Sequence, residues 1–199
     1  MSEKLDGVRA YWTGEEFVSR LGNRYLAPDW FTEGLPSHPL DGELWIGRGH
    51  FQKTVSVVRR AKGGELWREV RYLVFDAPEQ GGHFEARHEH LSELLAAQAP
   101  FAEAVAHERC EGPDHLQEEL ARIEELGGEG LMLRQPKSPY EVGRSWTLLK
   151  VKSFCDAEAK VVGYTAGKGK HKGKTGALCL VTPEGIEFSV GTGLSEKER

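Results

Sequence analysis

Lys4-Leu5-Asp6-Gly7-Val8-Arg9 brings a lysine, a carboxylate, a glycine and an arginine into six residues. Side chains alternate in an extended backbone, so Lys4 and Asp6 share a face. Read as one extended strand, the segment is expected to turn Arg9 to that face as well, so that all three charges point the same way. A lysine amine beside an arginine and a carboxylate is equipped to attack a nucleotide phosphate. The guanidinium fork steers phosphate or sugar oxygens, and lysine is an established covalent nucleophile. The plainer account of the same residues is a strand running into a turn at Gly7. The pattern alone does not decide between them.

Composition sets the frame. The chain has 199 residues, 39% hydrophobic and 29% charged, a balance that fits one or two globular domains with sizeable cores. It holds no apolar run long enough to span a membrane, and its start lacks the basic and apolar regions of a signal peptide. By the visible residues the chain is cytoplasmic; a periplasmic location would need a leader upstream of Met1. Cys110, Cys155 and Cys179 are odd in number and widely spaced, which argues against a disulfide framework or a zinc site. His83, His88 and His90 lack Cys partners and are expected at the solvated surface. The net charge of -5 argues against a uniformly basic DNA-coating protein but leaves room for a local basic patch.

The pattern predicts a hairpin of Val8–Trp12 and Phe17–Arg20 around Thr13-Gly14, then strands at Leu40–Ile46 and Arg71–Phe75. Helices are predicted at Phe51–Arg60 and Glu85–Ala97. Leu116, Leu120, Ile123 and Leu126 fall at helical spacing within Pro113–Leu126, and Gly127-Gly128 ends that run. Strands follow at Glu129–Arg134 and Trp146–Val151. Residues 1–153 thus read as an α+β domain with antiparallel sheets. From Phe154 the character changes to short strands and Gly-rich turns, Lys160–Tyr164, Ala177–Thr182 and Ile186–Val190, the spacing of a small β-barrel.

Five further motifs follow the lysine in order, Ser19-Arg20-Leu21-Gly22-Asn23, Asp41-Gly42-Glu43-Leu44-Trp45, Phe75-Asp76, Glu129-Gly130-Leu131-Met132-Leu133-Arg134 and Leu149-Lys150-Val151-Lys152, and the opening motif makes six in all. Together they resemble the lysine-dependent nucleotidyltransferases, the superfamily of DNA ligases, RNA ligases and mRNA-capping enzymes. The likeness is nearest to the small bacterial ATP-dependent DNA ligases. It implies an antiparallel-sheet adenylation domain over 1–153 and an OB-fold over 154–199, the latter incomplete because five strands do not fit in that length.

The resemblance implies a nick-sealing reaction through a lysyl-AMP and a DNA-adenylate, using ATP and Mg2+ or Mn2+ on nicked duplex DNA, by a monomer. It makes Lys4 the nucleophile, with Lys150 and Lys152 as the cations that hold the α-phosphate and lower the pKa of the attacking amine from its ordinary value near 10.4. Glu3, Arg9, Arg20, Glu43, Phe75 and Glu129 are expected at the nucleotide. Phe75 would stack on the purine, and Glu43 and Glu129 would serve the metal. Arg20 would also meet the nick phosphate. Asp6 is expected to fix the turn rather than the chemistry.

Lys168-Gly169-Lys170-His171-Lys172-Gly173-Lys174 is the strongest basic run. Its ending with Thr175 imitates a phosphate-cradling loop, but that pattern needs glycine where Lys168 stands, and a strand rather than a helix follows. Lys168, Lys170, Lys172 and Lys174 are instead expected to grip the DNA backbone. Against the family pattern, the strand and loop that precede the lysine motif and the basic motif that closes the OB-fold are both missing, so the chain reads as truncated at both ends. Two alternatives stand beside the ligase: an RNA ligase or capping-type enzyme, and a nucleic-acid-binding remnant without catalysis.

Overall fold

The structure is a computed structural model that describes residues 1–60, 64–96, 99–154 and 156–199; the expected helix end at Ala97 and Cys155 lie outside the described residues. It forms two compact units, Met1–Ser153 and Phe154–Arg199.

The larger unit runs β1 (Ser2–Glu3), β2 (Val8–Trp12), β3 (Phe17–Ser19), β4 (Arg24–Tyr25), α1 (Asp29–Thr32), β5 (Leu40–Trp45), α2 (Phe51–Val58), β6 (Arg71–Asp76), α3 (Phe84–Ala96), β7 (Ala102–Ala104), α4 (Pro113–Glu125), β8 (Leu131–Arg134) and β9 (Leu148–Val151). The strands make two sheets, one in the order β4-β3-β2-β5-β6-β7 and one in the order β1-β8-β9. One pair departs from the antiparallel pattern: β7 lies parallel to β6. Parallel neighbours need a crossover, and α3 supplies it.

Alternation along the strands separates core from site. Strand β2 buries Val8, Ala10 and Trp12 and turns Arg9 and Tyr11 the other way. Strand β5 buries Leu40, Gly42 and Leu44 and sends Asp41 and Glu43 to the face that Arg9 occupies. The opposite face carries the aromatic core. Phe17 meets Tyr72 edge-on and Phe31 meets Trp67 edge-on, each with ring centroids 4.7 Å apart. Val57 and Val58 of α2 and Leu91 and Leu95 of α3 pack against the same cluster. A second, smaller core joins Met1, Leu120, Ile123 and Leu131, which seats α4 on β1 and β8.

One charged pair is sunk in the fold. Arg87 of α3 grips Asp76, at the end of β6, through Nε–Oδ1 at 2.7 Å and Nη2–Oδ2 at 3.1 Å. Its Nη1 donates to the carbonyls of Gly82 at 2.8 Å and Ser138 at 3.3 Å. Both side chains are at most 1% exposed. The guanidinium thus ties sheet, helix and the loop at Ser138 together. His88, expected in solvent, is half-buried, its Nε2 2.7 Å from the Val105 carbonyl oxygen. That carbonyl follows strand β7, which the sequence reading did not find.

The smaller unit contains β10 (Lys160–Ala166), β11 (Thr175–Val181) and β12 (Glu187–Val190), an antiparallel sheet in chain order. The basic run links β10 to β11 through a 3-10 turn at Gly169–His171.

Asp76→Ala leaves Arg87 buried without its counter-charge. It is expected to destabilise the larger unit by about 3–5 kcal/mol; urea unfolding would show a lower midpoint, and an unchanged midpoint would refute this account of the pair.

Candidate active site

Two glycines set the geometry of the site. The chain does not run straight from β1 into β2; it bends at Gly7, where a Cβ would lie 2.5 Å from the Leu44 carbonyl oxygen and 2.7 Å from Glu43 Cγ. This bend corrects the single-strand expectation. In one continuous strand Lys4 and Arg9 would point to opposite faces; with Lys4 directly after β1 of one sheet and Arg9 on β2 of the other, they border one cavity. Gly130, at φ 140°, sits where a Cβ would collide with the Val151 carbonyl oxygen. Its own carbonyl accepts the Lys4 backbone N–H at 2.8 Å. Gly130 also explains why the predicted strand at Glu129 begins two residues later.

The cavity has a volume of about 280 Å³. Lys4, Arg9, Arg20 and Lys150 bring cations to its wall, Asp41 and Glu43 bring carboxylates, and Phe75 and Met132 bring apolar surface. Lys4 Nζ is bonded directly to Glu129 Oε2, and Lys152 Nζ lies 3.9 Å from Glu129 Oε1. Glu129 thus stands between two lysines. Lys150, opposite Met132 in the β8–β9 register, reaches the cavity, whereas Lys152 reaches the site through Glu129. Of the two lysines expected at one phosphate, Lys150 lines the cavity and Lys152 stands beside Glu129.

Arg9 is clamped on Asp41, with Nε–Oδ1 at 3.0 Å and Nη2–Oδ2 at 2.5 Å, and its guanidinium lies 5.7 Å from the Phe75 ring centroid. Tyr140 donates its hydroxyl to the same Asp41 at 2.8 Å. Burial beside that carboxylate raises the Tyr140 hydroxyl above its ordinary value and keeps it a donor. Glu43 stands among Lys4, Arg9, Asp41 and Glu129. Burial dominates its environment and pushes its carboxyl up to about 8, against the pull of the two cations. Glu3, expected at the nucleotide, borders the cavity, but its carboxylate is held by Arg48 through two bonds of 2.7 Å. Arg20 lines the cavity on the β3–β4 turn and makes no ion pair among the described residues.

Four lining residues escaped the sequence reading. Asp41 was visible as the first residue of Asp41-Gly42-Glu43 but received no role. Tyr140 meets it across 99 positions of sequence, a distance no local pattern spans. Arg134 lies over the Phe84 ring at 4.6 Å, and its Nη2 is 3.5 Å from Asp76 Oδ2; burial lowers its pKa. His107 shares the Val105 carbonyl with His88, and burial holds its imidazole down to about 4, so it is neutral at ordinary pH. In the smaller unit Lys174 is paired with Glu196, while Lys168, Lys170 and Lys172 are exposed without ion pairs among the described residues.

A lysine, free cations and half-buried carboxylates around a cavity with an aromatic wall is an arrangement for handling a nucleotide. Residues 1–152 match the family model of the ATP dependent DNA ligase domain. The chain belongs to the ATP-dependent DNA ligases. Residues 166–199 match the DNA ligase OB-like domain. A DNA ligase from Haemophilus influenzae is 36% identical over 200 residues, covering 100% of this chain and 74% of the relative. Among solved structures, a Lig E DNA ligase superposes with a TM-score of 0.93 at 46% identity, covering 100% of this chain and 78% of that one. The Chlorella virus DNA ligase-adenylate gives 0.65 at 26%, covering 100% and 79%. The family uses ATP, and the α+β ligase fold with its OB-like unit is the one described above.

The Glu43 carboxyl carries a testable sign. Because its folded value, about 8, lies above the ordinary carboxylate range, the folded state holds a proton that the unfolded chain has lost between about pH 4.5 and 8. This group therefore makes stability fall as pH rises through that window. Urea midpoints for the wild type and Glu43→Gln, followed from pH 5 to 8.5, should diverge with the wild type losing more; parallel curves would contradict the raised value.

Proposed function

We propose that this ligase seals 5′-phosphate/3′-hydroxyl nicks in duplex DNA as a monomer, with Lys4 as its nucleophile. The observation that carries the reading is the position of Lys4: its amine lies at the junction of two sheets, beside Glu129 and at the wall of a cavity that Arg9, Arg20 and Lys150 make cationic.

In the first step Lys4 Nζ attacks the α-phosphorus of ATP. A P–N bond forms, the bond to the pyrophosphate oxygen breaks, and pyrophosphate leaves. Glu129 is the nearest carboxylate to the amine and is placed to receive its proton. Lys150 neutralises the α-phosphate, and Phe75 and Met132 offer apolar faces to the purine. Arg9, kept rigid by Asp41 and Tyr140, points its fork at the ribose and phosphate side. In the second step a 5′-phosphate oxygen of the nick displaces Lys4 from the same phosphorus, with Arg20 holding that phosphate. In the third the 3′-hydroxyl attacks the 5′-phosphorus and AMP departs. Each step is positioning and charge neutralisation.

The donor set fits magnesium or manganese. Glu43 and Glu129 are two carboxylates at the phosphate end, few enough to leave such an ion its waters, and the proton that burial keeps on Glu43 is one a cation would displace. Bound there, the ion would neutralise charge on the reacting phosphate. In the smaller unit Lys168, Lys170 and Lys172 are free to meet backbone phosphates in a sequence-independent way.

Incubation with ATP and magnesium should add one AMP to the intact mass of the wild type. The adduct should be absent from Lys4→Ala and lost on chasing with nicked DNA. A wild type without the adduct, beside a ligase control that forms it, would refute the assignment of Lys4. Changing Lys168, Lys170 and Lys172 to glutamine should lower the slope of log affinity against log salt by about one per lysine in phosphate contact; an unchanged slope would remove these residues from the DNA interface.

A further inference from the structure

The loop between β8 and β9 has two faces. Glu141, Gly143, Ser145 and Thr147 line the nucleotide cavity. Val142 and Trp146 are not in that wall; they are 92% and 93% exposed. Arg144 between them is exposed too, with no ion pair or hydrogen bond among the described residues. The inner face is pinned: Thr147 Oγ1 donates to Glu141 Oε1 at 2.8 Å and the Thr147 N–H donates to Ser145 Oγ at 3.0 Å. The outer face is therefore presented on a fixed frame and offers an aliphatic side chain, a free cation and an indole in alternation.

We propose that Val142, Arg144 and Trp146 form a DNA-contacting wedge that selects a nicked duplex over an intact one. The inference rests on the ligase reading above, because it takes its partner from the cavity that the loop borders. A nucleotide-charged lysine in that cavity must meet a DNA 5′-phosphate, so duplex DNA has to pass over this rim. The outer face suits it. A guanidinium without a counter-ion seeks a phosphate, and the segment from Val142 to Trp146 contains no acidic residue to repel one. An exposed indole can stack on a base or press between base steps, as apolar side chains do in proteins that kink DNA. That insertion costs unstacking energy. At a nick one strand has no phosphodiester to hold the step closed, so the same insertion costs less there than in an intact duplex. Trp146 thereby converts the mechanical weakness of a nick into binding preference.

The test uses the full chain and two labelled duplexes of one sequence, intact and nicked, the nick ending in a 3′-deoxy sugar so that it cannot be sealed. Fluorescence anisotropy without ATP gives both affinities at a fixed salt concentration. Trp146→Ala should weaken binding to the nicked duplex about tenfold and to the intact duplex less than twofold. Trp146→Phe should keep most of the preference. Formation of lysyl-AMP, read by mass, should be unchanged in both variants, which also reports that they fold. No loss of affinity, or an equal loss on both duplexes, would overturn the proposal. So would a concentration-dependent dimer of the wild type that Trp146→Ala abolishes while DNA binding stays intact, since the face would then belong to a second copy. Absence of lysyl-AMP in the wild type would strike the Lys4 assignment and leave the affinity ratio to be judged by itself.

Discussion

The pairing of β1 with β8 is slight in extent, two residues against two, yet the site exists only because of it. The Lys4 N–H donates to the Gly130 carbonyl directly beyond that pairing, so the lysine side chain is delivered to Glu129 across 125 positions of sequence. The first strand also carries Met1 into the small core with Leu120, Ile123 and Leu131. Burying that apolar cluster is what holds so short a strand in place, since two residues have little ladder energy of their own. Gly7 then lets the chain leave one sheet and enter the other at close quarters.

Charge in the cavity is arranged by partnership. Asp41 is consumed by Arg9 and Tyr140, Asp76 by Arg87 and Arg134, and Glu3 by Arg48. Each pairing removes a carboxylate from competition for a phosphate or a cation and fixes the direction of a guanidinium. What is left open is a short set: Arg20, Lys150 and the proton-bearing Glu43, with Lys4 and Lys152 sharing Glu129. A polar network of this kind is stable only when its members are satisfied together, which makes the positions of Arg9 and Arg134 as much a product of the fold as the aromatic core is.

Much of this was legible in the chain. Strand β2 announces itself by one dry face and one wet face, Val8, Ala10 and Trp12 alternating with Arg9 and Tyr11, and β6 by an apolar run, Tyr72, Leu73 and Val74, that is buried throughout. Helix α4 reads cleanly because Leu120 and Ile123 recur at its spacing and are the residues it buries. The ordered motifs named the superfamily, and Lys4, Arg9, Arg20, Glu43, Phe75 and Lys150 do meet at one cavity. Strands β1 and β7 were missed because two or three residues cannot show a period. The roles of Asp41 with Tyr140, and of His88 with His107, were missed because their partners are distant in sequence. The convergence of Lys4 and Arg9 was expected for a reason that strand geometry forbids; the bend at Gly7 achieves what alternation could not.

The joining of the first strand to the eighth has a consequence for synthesis. Lys4 leaves a ribosome well before the strand that positions it, since Ser2 finds its partner only when Met132 has emerged. At about 10 residues per second that is a wait of roughly 13 s, during which the amine has no Glu129 beside it and no cavity around it. A nascent chain therefore carries the lysine without the cavity. The cavity around that lysine is completed late and all at once, when β8 closes on a strand made long before it.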